Sequence, residues 1–447
     1  MRGWLRFALG AGLAGAAGCS APAGPPDVVL VVVDTLRADH LGSYGFALPT
    51  SPHVDRFAAE SVLFERALAA SANTVPSHAS LMTSRFVREH SVGWINGTTR
   101  LEDAVTLAMR FREAGFETGA FVSNFVLRRA VGLDAGFDVY DDELDAAEPN
   151  RPDFTERKAE ATTARARAWL ARRSERPVFL FVHYQDPHGP YTPPPGWREP
   201  FVALEAEGSP ALPVLARDDE AGGIPRYQAL PGLAHLAQYR SRYAGEIAYF
   251  DASFGRLLEA LDARGRPNVV LLTADHGESF GENGFYLSHG HATTPDQAHV
   301  PFVLRAPGLA PERRSEPVHH VDVAPTLLEL AGLAPPEDAR GVALGPLLRG
   351  GRPLPERLLF CDVGTDVSAY ARDRFLRASR SEPRSAFQFS QQRWEGGGRW
   401  EPIPSEAADL ERLDAYLAHA ERMRPIPAAL SESDRARLRA LGYLDGE

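Results

Sequence analysis

Lysine is almost missing from this chain. Among 447 residues only Lys158 carries an ε-ammonium, so arginine supplies nearly all of the positive charge. Acidic residues are nevertheless in excess, and the formal net charge is −11. That balance argues against a nucleic-acid partner, whose phosphates need a dense basic face. One small anion held in a confined pocket stays allowed. Cysteine is scarce as well: Cys19 and Cys361 are the only two, too few for a disulfide framework. The apolar stretch at 7–17 is too short for a comfortable membrane span, which takes about 20 residues.

What is present is a chain long enough for one large domain with a smaller appendage, or for two. Its hydrophobic content of 44% allows a sizeable core. Residues 1–18 have the pattern of a cleaved leader. Arg2 and Arg6 precede the apolar stretch, and Ala16, Ala17 and Gly18 precede Cys19. This resembles a bacterial lipoprotein signal, with Cys19 becoming the lipidated N-terminus and 19–26 a short tether. Ser20 leans towards the outer membrane. The expectation is an exported protein, lipid-anchored in the cell envelope.

Runs at 28–33, 118–123, 178–183, 268–273 and 300–305 are apolar on both faces, as buried parallel strands are. Helical spacing occupies 101–114, 154–173 and 236–263 between them. The alternation predicts an α/β sheet covered on both sides. Residues 187–231 are rich in Pro and Gly and read as a long surface excursion, a lid or substrate-facing loop. Beyond 345 the texture turns polar and aromatic, with a Gly-rich stretch at 394–400 and a helical pattern at 407–423. This predicts a small C-terminal α+β subdomain over 346–447.

In open parallel sheets, sites form at the carboxyl ends of strands. Asp34, the pair Asp275-His276, and His188 each follow one of the predicted strands. Thr74-Val75-Pro76-Ser77 has the form of a helix start, with Pro in the first turn. A helix N-terminus presents free N–H groups to an anion. A hydroxyl there, coordinated by a divalent ion, ionises readily. Hard oxygens, one imidazole and a hydroxyl are the inventory of a metal-assisted hydrolase of phosphate or sulfate esters.

The segments Val32-Val33-Asp34-Thr35-Leu36-Arg37-Ala38-Asp39-His40, Thr74-Val75-Pro76-Ser77-His78, Asp186-Pro187-His188, Asp275-His276-Gly277-Glu278, Ser288-His289-Gly290 and Val321-Asp322-Val323-Ala324-Pro325 occur in that order. The ordered set resembles the sulfatase family of the alkaline-phosphatase superfamily over roughly 27–345. Leu441-Gly442-Tyr443-Leu444 looks like an ending shared by bacterial members. The resemblance implies a doubly wound α/β core and a small C-terminal subdomain. It also implies one divalent metal held by Asp34, Asp275 and His276, and Thr74 as both ligand and nucleophile. The mixed donor set suits Mn²⁺ or Zn²⁺ better than Ca²⁺.

The departures narrow the chemistry. The family nucleophile is a Cys or Ser converted to formylglycine. Thr cannot be converted, because oxidation at its methyl-bearing β-carbon gives a ketone. The family's next Arg is His78 here, its second early Asp is Thr35, and its active-site lysines are missing. His78, His188 and His289 are expected to replace part of that charge as catalytic or substrate-binding groups. His78 is read either in such a role or on the helix surface. His183, His291, His299, His319 and His320 are expected to be structural or on the surface. Asp186 is a candidate to orient His188, and Ser77 and Asn124 to touch the anion. The expected substrate is an anionic mono- or diester, glycan- or lipid-linked in one reading. A phospho- or sulfotransferase to an envelope glycan or lipid is the alternative enzyme. A sulfatase-like binding lipoprotein without catalysis is the third reading. No oligomeric state follows from the sequence.

Overall fold

The computed structural model describes residues 24–444 apart from 145, 149–150, 173–174, 219, 372–373, 380–384, 390–399, 403, 405–406, 419–424 and 442. The leader, Cys19 and most of the tether lie outside the described residues, as do 394–399 and 421–423. Among the described residues no helix is long and apolar enough to cross a membrane.

An eight-stranded sheet forms the centre, in the spatial order Glu312–Arg314, Val62–Phe64, Phe302–Arg305, Asn268–Ala274, Asp27–Val33, Val178–Tyr184, Glu117–Phe121, Val139–Asp141. The middle strands are Val- and Leu-rich and buried along their whole length, as both-face apolar runs require. Asp27–Val33 pairs in parallel with Asn268–Ala274 on one side and Val178–Tyr184 on the other. Their carboxyl ends therefore come out together. Helices Pro52–Ala59, Ala159–Leu170 and Leu236–Asp262 pack together as one layer, and Thr74–Thr83, Leu107–Glu113 and Val323–Leu330 as another. This is the expected mostly parallel α/β fold.

Three expectations needed correction. The run at 300–305 divides: His299–Val300 joins a small separate sheet, and Phe302–Arg305 runs antiparallel to Asn268–Ala274. An apolar run carries no direction, so its pattern could not reveal this. The helix expected at 101–114 begins only at Leu107, because Thr106 caps it by accepting a bond from the Met109 N–H at 3.2 Å. The stretch 154–173 is the end of strand Arg151–Glu156 followed by helix Ala159–Leu170.

The C-terminal region forms a five-stranded antiparallel sheet from Leu359–Asp362 to Trp400–Pro402. Leu413 and Tyr416 of helix Ala407–Ala418 pack on it with Phe360 and Phe86. The chain then leaves this sheet. Ile426–Pro427 pairs with Thr99–Arg100, and Leu438 enters the main core. The end of the expected 346–447 unit thus packs on the larger domain.

Asp362 locks the two parts together. Its carboxylate is buried against the Arg88 guanidinium and accepts bonds from Trp94 Nε1 at 3.0 Å and the Tyr416 hydroxyl at 3.1 Å. Asp362→Ala leaves the Arg88 charge buried and unpaired, and should cost about 3–5 kcal/mol in urea unfolding. A loss well under 1 kcal/mol would show that Arg88 finds water.

Candidate active site

The strand ends shape the site through one strained turn. Asp34 directly follows Asp27–Val33, and its N–H donates to the Tyr184 carbonyl at 2.9 Å. Thr35 then adopts φ 55°, a left-handed conformation that a β-branched residue rarely takes. Three hydrogen bonds hold it there, and a fourth fixes the tyrosine that makes one of them. The Thr35 N–H donates to Asp275 Oδ1 at 3.2 Å and its hydroxyl to the Asp34 carbonyl at 2.7 Å. The Tyr243 hydroxyl donates to the Thr35 carbonyl at 2.7 Å and accepts from the Arg37 N–H at 3.0 Å. Thr35 is therefore turned back on the backbone.

The turn brings Asp34 beside Asp275 and His276, and these three offer ligand atoms within 4.8 Å of one another. Asp275 Oδ1 also accepts the His276 N–H at 2.9 Å, which leaves Oδ2 without a hydrogen bond; Asp34 Oδ1 is likewise unpaired. The His276 Nδ1–H donates to the Gly277 carbonyl at 2.9 Å, so the Nε2 lone pair faces the carboxylates. Nε2 lies 3.5 Å from Asp275 Oδ2, 3.9 Å from Asp34 Oδ1 and 3.4 Å from the Thr74 hydroxyl. Ligands bonded at about 2.0–2.2 Å to one tetrahedral ion stand about 3.4 Å apart. The charges agree with such an ion. Burial and the Asp34 charge push the Asp275 carboxyl well up. Burial acts the same way on Asp34, but His188, His183 and His276 outweigh it and hold that carboxyl down. A divalent cation between the two relieves this conflict, and Asp34, Asp275, His276 and Thr74 fit one.

Thr74 is the first residue of helix Thr74–Thr83, every residue of which is buried. The next N–H, of Val75, donates to Asn96 Oδ1 at 2.9 Å. The positive end of the helix thus points at the ligand cluster. Asn124 both caps Val126 and donates from Nδ2 to Asp34 Oδ2 at 2.9 Å. Ser77 donates to the Asp275 carbonyl at 2.7 Å, a supporting contact.

The opposite wall is imidazole. His188 and His289 stand with ring centroids 5.0 Å apart, and His289 lies 4.5 Å from the His276 ring. His188 donates from Nδ1 to the Gly189 carbonyl at 2.7 Å. His289 donates from Nδ1 to Glu278 Oε1 at 3.1 Å, while Glu278 Oε2 accepts the Tyr191 hydroxyl at 2.8 Å. Burial lowers His188 to about 4 and His289 to about 3, and pushes Glu278 up to about 7. Gly290 follows at φ 79°, where a Cβ would meet Asn73 Oδ1 at 2.4 Å, so only glycine fits. Tyr227, from the long 187–231 excursion, has its ring 6.2 Å from that of His188.

A sulfatase family model matches residues 26–333. The chain belongs to the sulfatase family. It is 26% identical to an uncharacterized sulfatase, YidJ, of Escherichia coli over 70% of this chain and 69% of that protein. It is 24% identical to an arylsulfatase of Clostridium perfringens over 94% and 96%. Its fold superposes on a phosphonate monoester hydrolase of Agrobacterium radiobacter with a TM-score of 0.67, at 21% identity, over 93% and 96% of the two chains. Membership brings with it hydrolysis of an anionic ester.

In this family member the single lysine stands apart, its ammonium pairing with Glu156 and lying 3.8 Å from Asp186 and 3.9 Å from Glu246. Asp186 does not orient His188; its Oδ2 caps helix Ala159–Leu170 at the Ala159 N–H, 2.7 Å away. His78 is not on a helix surface. It is fully buried, donates from Nδ1 to the Thr74 carbonyl at 2.8 Å, and lies 3.9 Å from Asp275 Oδ2. His183 was expected to be structural or on the surface, yet it enters the site, 3.5 Å from Asp34 Oδ2. His299, His319 and His320 bond backbone carbonyls, as expected of structural residues. Sequence reasoning missed Tyr191, Asn96 and Tyr443. Burial pushes the Tyr443 phenol up, as do the charges of Asp34, Asp275 and Glu278, while a hydrogen bond with Asn96 opposes the shift.

Proposed function

We propose that this member of the sulfatase family is a lipid-anchored, metal-dependent hydrolase of phosphate or sulfate esters in the bacterial envelope, with Thr74 as a covalent nucleophile. The observation that carries the reading is the Thr74 hydroxyl, 3.4 Å from His276 Nε2 at a buried helix N-terminus. Asp34, Asp275 and His276 would hold the cation, which when bound would acidify the hydroxyl and screen the charge of the ester.

The Thr74 oxygen bonds to phosphorus or sulfur as the bond to the leaving alcohol breaks. The proton of the hydroxyl ends on the departing oxygen, and His188 or His289 carries it. Both rings keep a hydrogen on Nδ1, so each presents Nε2 to the cavity as the proton carrier. Water then attacks the same phosphorus or sulfur. An imidazole takes its proton and returns it to the Thr74 oxygen as the covalent bond breaks. Formylglycine hydrate expels sulfate by collapsing to an aldehyde; an esterified threonine has no such exit, so this second attack is obligatory. With neutral imidazoles where lysines are usual, the cavity suits a substrate bearing one negative charge, such as a phosphodiester or a sulfate monoester.

His188→Ala and His289→Ala should each lower kcat/KM about 10²- to 10⁴-fold on alkyl esters. The loss should be smaller on nitrophenyl esters, whose leaving group needs no proton. Equal losses on both would assign these rings to binding. The direct test is the intact mass of the protein after brief exposure to aryl phosphates, phosphodiesters and sulfates, with peptide mapping. An adduct on Thr74 is expected, and it names the transferred group. Phenol release without any adduct on the chain would overturn the covalent mechanism.

A further inference from the structure

We propose that a second divalent cation binds beside the first site, held by His78, His183 and the Asp275 carboxylate. These three residues are fully buried and offer ligand atoms within 4.8 Å of one another. They share only Asp275 with the cluster of Asp34, Asp275 and His276. His78 comes from the second turn of the nucleophile helix, and His183 from strand Val178–Tyr184, beside Val32 of the central strand.

The hydrogen bonding of the three residues is what calls for an ion. Buried polar atoms are nearly always paired, and each exception needs a cause. Neither ring nitrogen of His183 makes a hydrogen bond of ordinary length. Its Nε2 lies 3.5 Å from Asp34 Oδ2, at the long limit of a hydrogen bond. His78 spends its Nδ1–H on the Thr74 carbonyl, so the lone pair is on Nε2, which is buried without a partner. Asp275 gives Oδ1 to two backbone N–H groups and keeps Oδ2 free of hydrogen bonds, 3.5 Å from His276 Nε2 and 3.9 Å from His78 Nδ1.

The neighbouring buried histidines behave differently. His320 faces the Ala274 carbonyl with Nε2 and the Ala70 N–H with Nδ1. His319 faces the Phe360 carbonyl and the Val321 N–H in the same way. His319 and His320 therefore have both nitrogens engaged, whereas His183 has only its long approach to Asp34. Two imidazoles and one carboxylate form a donor set suited to Zn²⁺ or Mn²⁺. A cation there would place further positive charge one carboxylate away from Thr74.

The inference does not depend on Thr74 being the nucleophile, because it is read by counting metal. The full-length protein is stripped with chelator, dialysed against Zn²⁺ or Mn²⁺, freed of excess ion and analysed by mass spectrometry. Two ions per chain are expected. His183→Ala and His276→Ala should each retain one, and the double variant none. If His183→Ala does not fold, His183→Gln, which keeps the volume without an imidazole, should also retain one. X-ray absorption of the zinc-loaded protein should show a metal–metal vector near 3.5–4 Å that vanishes in the His183 variant. One ion in the wild-type chain, or two retained in the His183 variant, overturns the proposal. Two ions together with no covalent adduct would sustain it and remove the nucleophile instead.

Discussion

Thr74→Ala is expected to lower kcat by on the order of 10⁴-fold or more while leaving the melting midpoint nearly unchanged. The size follows from removing the atom that the proposed mechanism bonds to the ester, since every later step of that mechanism needs the intermediate. The small effect on folding follows from the surroundings. Alanine suits a first helical position, and the lost hydroxyl faces only His276 Nε2, at 3.4 Å. Thr74→Ser keeps a hydroxyl and should keep measurable turnover, with an adduct at the same position. The check is single-turnover phenol release alongside thermal melting. If the alanine variant retained activity within tenfold, water would be attacking the ester directly, and the hydroxyl would be a ligand alone.

The second large effect belongs to Asp275→Asn. Supporting residues around a metal are worth about 10–100-fold in affinity, and a direct ligand should exceed that. Cation affinity should fall by more than about 100-fold, with turnover falling beside it at fixed metal. Stability should respond in the opposite sense. Burial and the neighbouring Asp34 raise the Asp275 pKa above its unfolded value. A carboxyl raised in this way contributes stability in acid and loses it as pH climbs through the folded pKa. Chelator-treated wild-type protein should therefore weaken from acid to neutral pH more steeply than the asparagine variant, which has no proton to lose. Equilibrium dialysis and melting curves at several pH values measure both arms. Unchanged affinity would remove Asp275 from the ligand set.

The parallel core was legible because Val28, Leu30, Leu271 and Leu180 belong to runs apolar on both faces, a pattern that few other arrangements produce. Asp34, Asp275 and His276 were legible because each terminates such a run. His183 was not, since it lies within a strand, where a polar side chain is indistinguishable from a satisfied core residue. Its place beside Asp34 appears only once Val32 and His183 are in register. The left-handed Thr35 could not be foreseen, because β-branched residues normally avoid that conformation. Glu278 stood in plain view three positions after Asp275, yet its bond to His289 depends on a hairpin that the pattern did not encode. Tyr443 was readable only as part of a familiar ending; what it touches is set by tertiary packing.

The return of the tail to the larger domain ties reactivity to the order of synthesis. Asp34 and Thr74 leave the ribosome early, whereas Leu438 and Tyr443, packed at the flank of Gly97 and Asn96, emerge long afterwards. Contacts of such wide sequence separation form late in folding. A chain made only just past His289 therefore carries every proposed ligand and the nucleophile but not the finished wall, and esters it encounters on the way should survive the meeting.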